Sequence, residues 1–193
     1  MITFKELEAN YESVTAIPYF ELIKTKEWFD CREIIIKRDG CRCTKCGRTS
    51  TIAHFDNKSR KTIHIWITEG KTIRAENIGI DIDLDFPEIK VADKYYTLHV
   101  HHTLYILEKL PWEYKPEELI TLCNWCHWEF HESNIVPVFR TNDDHSLEKL
   151  AYVPCSRCHG AGWFPQYKHV DNGICFRCLG ARYEQMIRAK PSD

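Results

Sequence analysis

The chain has 193 residues, enough for one domain with an appendage or for two small domains. Its 26 Lys and Arg face 28 Asp and Glu, a formal charge of −2 that excludes a basic protein coating nucleic acid, and 44% hydrophobic residues exclude a mostly disordered chain. No apolar run approaches the roughly 20 residues that span a bilayer, and the opening MITFKELEAN lacks a signal-peptide stretch. A cytoplasmic protein without membrane contact is therefore expected.

In chain order, residues 3–14 read as a short helix within an N-terminal segment, 1–23. Residues 26–38 read as a second helix, with Thr25 as N-cap, Trp28, Cys31, Ile34 and Ile35 at helical spacing, and Asp39-Gly40 as its stop. Residues 51–93 differ: TIAHF, KTIHIWI, KTIRA and IDIDLDF read as short strands joined by Asn, Gly and Asp turns, a β-rich insertion at about 50–93. His54 and His64 lie among these strand residues and read as packed or surface imidazoles. YYTLHV, 95–100, is a strand leading into His101 and His102, and residues 119–122 form another before Cys123. NWCHWEFHES, 124–133, reads as a helix with His127 and His131 on one face, since they are four apart. Residues 134–150 read as a linker, most flexible at 141–144. A zinc ribbon follows at about 151–180, then a short helix to about 189.

Ten cysteines are many for a reducing compartment, where metal ligation is favoured over disulfides. Eight of them form four CxxC pairs. Each pair lets two thiolates reach one ion from a tight turn, and two pairs complete a tetrahedral zinc site. Cys155, Cys158, Cys175 and Cys178 have compact ribbon spacing. Cys43, Cys46, Cys123 and Cys126 remain for a second ion across a long loop. Cys41 competes with Cys43, which the two-residue spacing favours, and Cys31 reads as core. Two structural zinc ions are expected.

Formal charge is segregated. Residues 31–75 carry eleven basic and four acidic side chains, and residues 76–120 carry four and ten. Nucleic-acid contact would fall on local patches: Arg42, Lys45 and Arg48 at the first CxxC turn, and Arg157, Arg177 and Arg182 near the end. Solvated faces explain the same charges.

The four histidines 101, 102, 127 and 131 carry the chemical signal. If the strand packs on the helix, all four imidazoles point into one cleft, where some bind a divalent ion and another takes a proton. Residues 24–132 resemble an HNH endonuclease domain with a ββα-metal finger. The resemblance runs through KTKEWFDCREIIIKRDGCRCTKCG, LHVHHTLY and PWEYKPEELITLCNWCHWEFH, with the β-rich insertion beyond it. It implies an α+β fold and a metal-dependent DNA endonuclease with one catalytic divalent ion (Mg, Mn, Ni or Zn). It implies His102 as general base and His101, His127 and His131 as metal ligands, the last position also serving phosphate contact in related enzymes. Glu118 stands where the family's middle Asn is expected; a carboxylate there orients a histidine by accepting a hydrogen bond, or leaves a degenerate site in a non-catalytic binding module. A single centre nicks one strand, so a double-strand break would need a homodimer or a partner protein. Such nucleases are found in bacteria and their viruses.

CSRCHGAGWFPQYKHVDNGICFRCLG resembles one zinc module of the DnaJ cysteine-rich domain. CSRCHGAG keeps CxxCxGxG, whereas CFRCLGAR carries Arg182 at the second glycine. The segment is expected as a separate ribbon, 151–193, binding DNA or a partner.

Overall fold

The computed structural model describes residues 1–68, 73–75, 80–82 and 87–187. Its elements fall into two compact units, Met1–Gly47 with Leu98–Asp193, and Arg48–Thr97. The chain mixes short helices and strands, an α+β architecture.

The first unit begins with α1 (Phe4–Glu8), shorter than the helix expected over 3–14. Thr3 and Glu6 form a capping box that starts it. Asn10 then ends it, its side-chain amide donating to the carbonyls of Glu6 and Leu7. A 3-10 turn (Val14–Ala16) and α2 (Tyr19–Leu22) follow. The main helix, α3 (Lys26–Arg38), has the expected bounds: Thr25 caps it by accepting from Trp28 N–H, and Gly40 leaves it at φ +68°.

The second unit holds β1 (Ile52–Asp56), β2 (Lys61–Thr68), β3 (Ile73–Ala75), β4 (Ile80–Ile82) and β5 (Glu88–Val91). β1, β2 and β5 form an antiparallel sheet centred on β2, and β3 pairs with β4. Asp56 closes the β1–β2 turn by accepting from Lys58 and Ser59 N–H. The expected strands KTIRA and IDIDLDF run partly outside the described residues. His54 is exposed, and His64 rests near Tyr95.

The chain re-enters the first unit at β6 (Leu98–His102), followed by β7 (Tyr105–Ile106), β8 (Leu119–Cys123) and α4 (Asn124–Ser133). β6 and β8 pair antiparallel, Leu98 opposite Cys123 and His102 opposite Leu119. Trp28 and Ile35 of α3 pack on Val100, Leu119 and Tyr114 to make the core beneath this pair. The outer edge of β8 is satisfied by the end of α3 and the turn after it. Arg38 donates to Leu119 C=O at 2.7 Å, Asp39 accepts from Thr121 N–H at 2.8 Å, and Thr44 N–H donates to Thr121 C=O at 2.9 Å.

Residues 134–150, expected as a linker, hold a folded hairpin. β9 (Val138–Thr141) pairs with β10 (Leu147–Leu150), and also runs parallel to β7. The polar run expected to be flexible is its turn, in which Asp144 accepts from Ser146 and Asn142 N–H donates to Ser146 C=O. Val136 and Val138 are buried with Tyr105 and Tyr183.

The ribbon is likewise not a separate module. Its two knuckles repeat each other: His159 N–H bonds Cys155 C=O at 2.8 Å and Leu179 N–H bonds Cys175 C=O at 2.7 Å. It packs into the same unit through Trp128 on Phe164, 4.9 Å between ring centroids, and through Tyr183, whose hydroxyl donates to Val136 C=O at 2.6 Å. The terminal helix is reduced to a 3-10 turn, Glu184–Met186, and the rest of that expectation lies outside the described residues. Tyr183→Phe, which keeps the ring and removes this buried bond, is expected to cost about 1–2 kcal/mol. The melting temperature should fall by about 2–8 °C, and an unchanged melt would show that the bond does not hold ribbon to hairpin.

Candidate metal centre

Three side-chain clusters have the donor atoms for a metal, each with its atoms within 4.8 Å of one another: Cys43, Cys46, Cys123 and Cys126; Cys155, Cys158, Cys175 and Cys178; and His101, His127 and His131. The two thiol clusters are those expected from the spacing. Cys46 and Cys123 Sγ lie 3.8 Å apart, and Cys158 and Cys178 Sγ 3.6 Å. A tetrahedral zinc with Zn–S of about 2.3 Å separates its sulfurs by about 3.8 Å. Both sites therefore fit structural zinc. Cys41 is exposed and outside the cluster, while Cys43 is buried within it.

The first thiol site also builds the histidine centre. Cys123 ends β8 and caps α4, its sulfur accepting from Cys126 N–H. One turn further on, His127 and His131 project from the same helical face, their Nε2 atoms 3.2 Å apart. That spacing suits two imidazoles on one ion, since metal–nitrogen distances of about 2.0–2.1 Å set nitrogens about 3.3 Å apart. His101 of β6 completes the trio. It is 1% exposed, and neither of its ring nitrogens has a hydrogen-bond partner among the described residues. Burying an imidazole with both nitrogens unsatisfied is costly unless an ion takes its lone pair. Burial pushes the pKa of His101 down to about 4 and of His131 to about 3, so both rings are neutral at pH 7 and offer that lone pair.

The structure brings three of the four expected imidazoles together. His102 faces the other side of β6, because side chains alternate along a strand. It is 2% exposed, stacks on Trp28 at 5.2 Å, and has Nε2 against Pro111 C=O at 2.9 Å. That bond requires Nε2–H, leaving Nδ1 as the ring's acceptor nitrogen. Burial drives its pKa down to about 3. Glu118 does not orient a histidine either. Its carboxylate accepts from Lys115 N–H at 2.8 Å and pairs with Lys109 at 3.6 Å. Its backbone carbonyl instead accepts from the amide and hydroxyl of Thr103, pinning the strand end that carries His102.

The fourth imidazole beside the trio is His99 rather than His102. Its Nδ1 lies 3.4 Å from Nδ1 of His127, and its ring meets Trp163 of the ribbon at 4.7 Å. A metal on Nε2 of His127 would leave its Nδ1–H to donate to His99, the kind of outer contact that fixes a metal-bound imidazole's tautomer. Strand alternation through LHVHH was the signal for it: residues 99 and 101 share a face, and 102 does not.

The expected basic contacts are dispersed. Lys45 pairs with Glu129 at 3.1 Å and Arg177 with Glu184 at 2.6 Å. Arg42 bonds Gly40 C=O, Arg157 lies over the Phe164 ring, and Arg48 belongs to the second unit, over Tyr96. Among the described residues no helix is long and apolar enough to cross a membrane. Comparison with family models, curated proteins and solved structures found no match to the chain.

Two outcomes follow from this geometry. His99→Ala should weaken metal binding at the histidine centre about 10–100-fold while leaving the two thiol sites loaded, read by competitive chelation; unchanged affinity would show that His99 does not position His127. Second, the depressed imidazole pKa values mean that unfolding takes up protons below the ordinary value of about 6.5. Stability should thus be full above pH 6.5 and lost as pH falls toward 4, with a slope of about 1.4 kcal/mol per pH unit for each buried imidazole. Thermal melts from pH 8 to 4.5 check this, and a flat profile between pH 6.5 and 5 would contradict it.

Proposed function

We propose that the chain is a metal-dependent DNA endonuclease whose divalent ion is held by His101, His127 and His131, in keeping with its resemblance to the HNH family. One observation carries this reading: three neutral imidazoles from a strand and the helix after its partner converge beside a four-thiol site, one of them buried with both nitrogens unsatisfied. A divalent ion there supplies charge stabilisation to a phosphate and its leaving oxygen. His99 holds the tautomer of His127. Pro111 C=O accepts from Nε2–H of His102, which leaves Nδ1 as that ring's acceptor on the face of β6 opposite the trio. Glu118 secures the strand end through its backbone, the service assigned in the family to the middle Asn. Of the basic residues, Arg42 and Arg157 are exposed and carry no ion pair among the described residues, which makes them better phosphate contacts than Lys45 or Arg177. The terminal ribbon, similar to a DnaJ zinc module, serves here as part of the nuclease unit, and no chaperone role is inferred.

A second reading has its own observation. His101, His131 and His102 are all at most 3% exposed, and Trp163 lies 5.8 Å from the His127 ring, so the trio also suits a third structural ion in a non-catalytic binding module. Nicking of supercoiled plasmid by zinc-loaded protein with magnesium, manganese or nickel separates the two. The nuclease is expected to nick, with His101→Ala reducing the rate at least about 100-fold while four cysteines per site keep two zinc ions. A third metal that never exchanges, with no nicking in any metal, would favour the structural ion.

A further inference from the structure

The first unit contains a chamber of about 840 Å³ on the far side of β6 from the histidine trio's helix, lined in part by Tyr19, His102, Lys109, Tyr114 and Arg182. Arg182 sits in it in an unusual way. It occupies the position at which the first knuckle has Gly162, and it keeps the glycine's left-handed backbone, φ +72° against +79°. An L side chain rarely adopts that conformation, so the place is one that glycine would fill at no strain.

The arginine side chain reaches the chamber between aromatic rings. Its guanidinium carbon is 3.5 Å from the Tyr19 ring centroid and 4.3 Å from that of Tyr105, and Nη1 donates to the Tyr105 hydroxyl at 2.6 Å. No carboxylate among the described residues lies within ion-pair distance of it. Among the described residues, the other cations at the wall are neutralised, Lys109 by Glu118 and Arg177 by Glu184, and the one further acid there, Glu108, is exposed. Stacking covers the guanidinium faces, and part of the in-plane N–H edge is held by tyrosine hydroxyls; these are neutral partners that the oxygens of a phosphate can join or displace.

We propose that this chamber is a nucleotide-binding site, in which Arg182 takes the phosphate and the tyrosine and aliphatic walls take the sugar and base. Its volume lies within the usual range for small-molecule sites, about 300–1,000 Å³, and exceeds what a bare anion needs. The phosphate belongs either to a free mononucleotide or to a nucleotide of a DNA strand. The site stands on the chamber itself, whether or not the histidine centre cleaves DNA.

The test is calorimetric titration of the full zinc-loaded chain, without added divalent metal, using inorganic phosphate, dAMP, deoxyadenosine and a short single-stranded oligonucleotide. A chain that never nicks DNA thus still passes or fails. Binding of dAMP at least tenfold tighter than deoxyadenosine is expected. Binding of the oligonucleotide with none of dAMP would assign the phosphate to a strand and also support the site. Arg182→Gly, which restores the residue suited to that backbone, should weaken binding at least tenfold with both zinc ions retained. No binding of any phosphate-bearing probe at millimolar concentration would overturn the proposal, as would binding unchanged in Arg182→Gly. Should that variant lose zinc, the comparison of dAMP with deoxyadenosine in the unaltered chain decides alone.

Discussion

Four thiols drawn together across 77 residues fix what the rest of the first unit depends on. Cys46 and Cys123 are that far apart in sequence and 3.8 Å apart in space. A metal at this point closes the loop that contains the entire second unit, so the length of that insertion adds little further entropy, because closure entropy grows only with the logarithm of loop length. The same cluster sets the start of α4, since the Cys123 sulfur caps it. Helical geometry then dictates where His127 and His131 point. The thiol site is thus the base on which the histidine centre is positioned, and the hydrogen bonds of Arg38, Asp39 and Thr44 to β8 lock the strand beneath it.

Much of this is legible because it is written in spacing. Two-residue cysteine pairs, a Thr cap before an apolar helix and histidines four apart all report local geometry, and the thiol pairings, α3 and α4 follow from them. Spacing misleads at the centre, where a neighbour in sequence is not a neighbour in space. His101 and His102 are adjacent, yet the pleat sends them to opposite faces, one to the histidine trio and the other onto Trp28. The hairpin at 138–150 is hidden for a different reason. Its turn is all polar, its strands are four residues each, and what buries Val138 is Tyr105 and Tyr183, neither nearby in sequence. Composition marks such a segment as a loop, and only tertiary packing makes it a strand.

The ribbon shows how a repeat departs from itself once it is absorbed into a larger core. Both knuckles keep the backbone bonds around their cysteines, but only the first keeps both glycines. Gly160 packs where a side chain would meet His131 and Pro154, so the first knuckle lies against the histidine centre. The second knuckle carries Arg182 toward Tyr19 and Tyr105 instead. Each knuckle thus serves a different side of β6, which explains why a module with its own zinc site is continuous with the rest of the unit.

Burial assigns the histidines their work. A ligand to a divalent ion must be neutral and held in one tautomer. Desolvation keeps His101, His127 and His131 neutral, and neighbours such as His99 fix the tautomer. A general base needs the opposite, a pKa near the working pH, which desolvation removes. His102, pushed down to about 3, is well fixed through Pro111 but poorly basic when closed from water. Proton transfer at that ring therefore requires solvent or a phosphate to reach it, since an anion beside the imidazole favours its charged form. The buried, neutral trio is suited to hold a metal as it stands, whereas protonation of His102 requires an anion or water arriving from the chamber side.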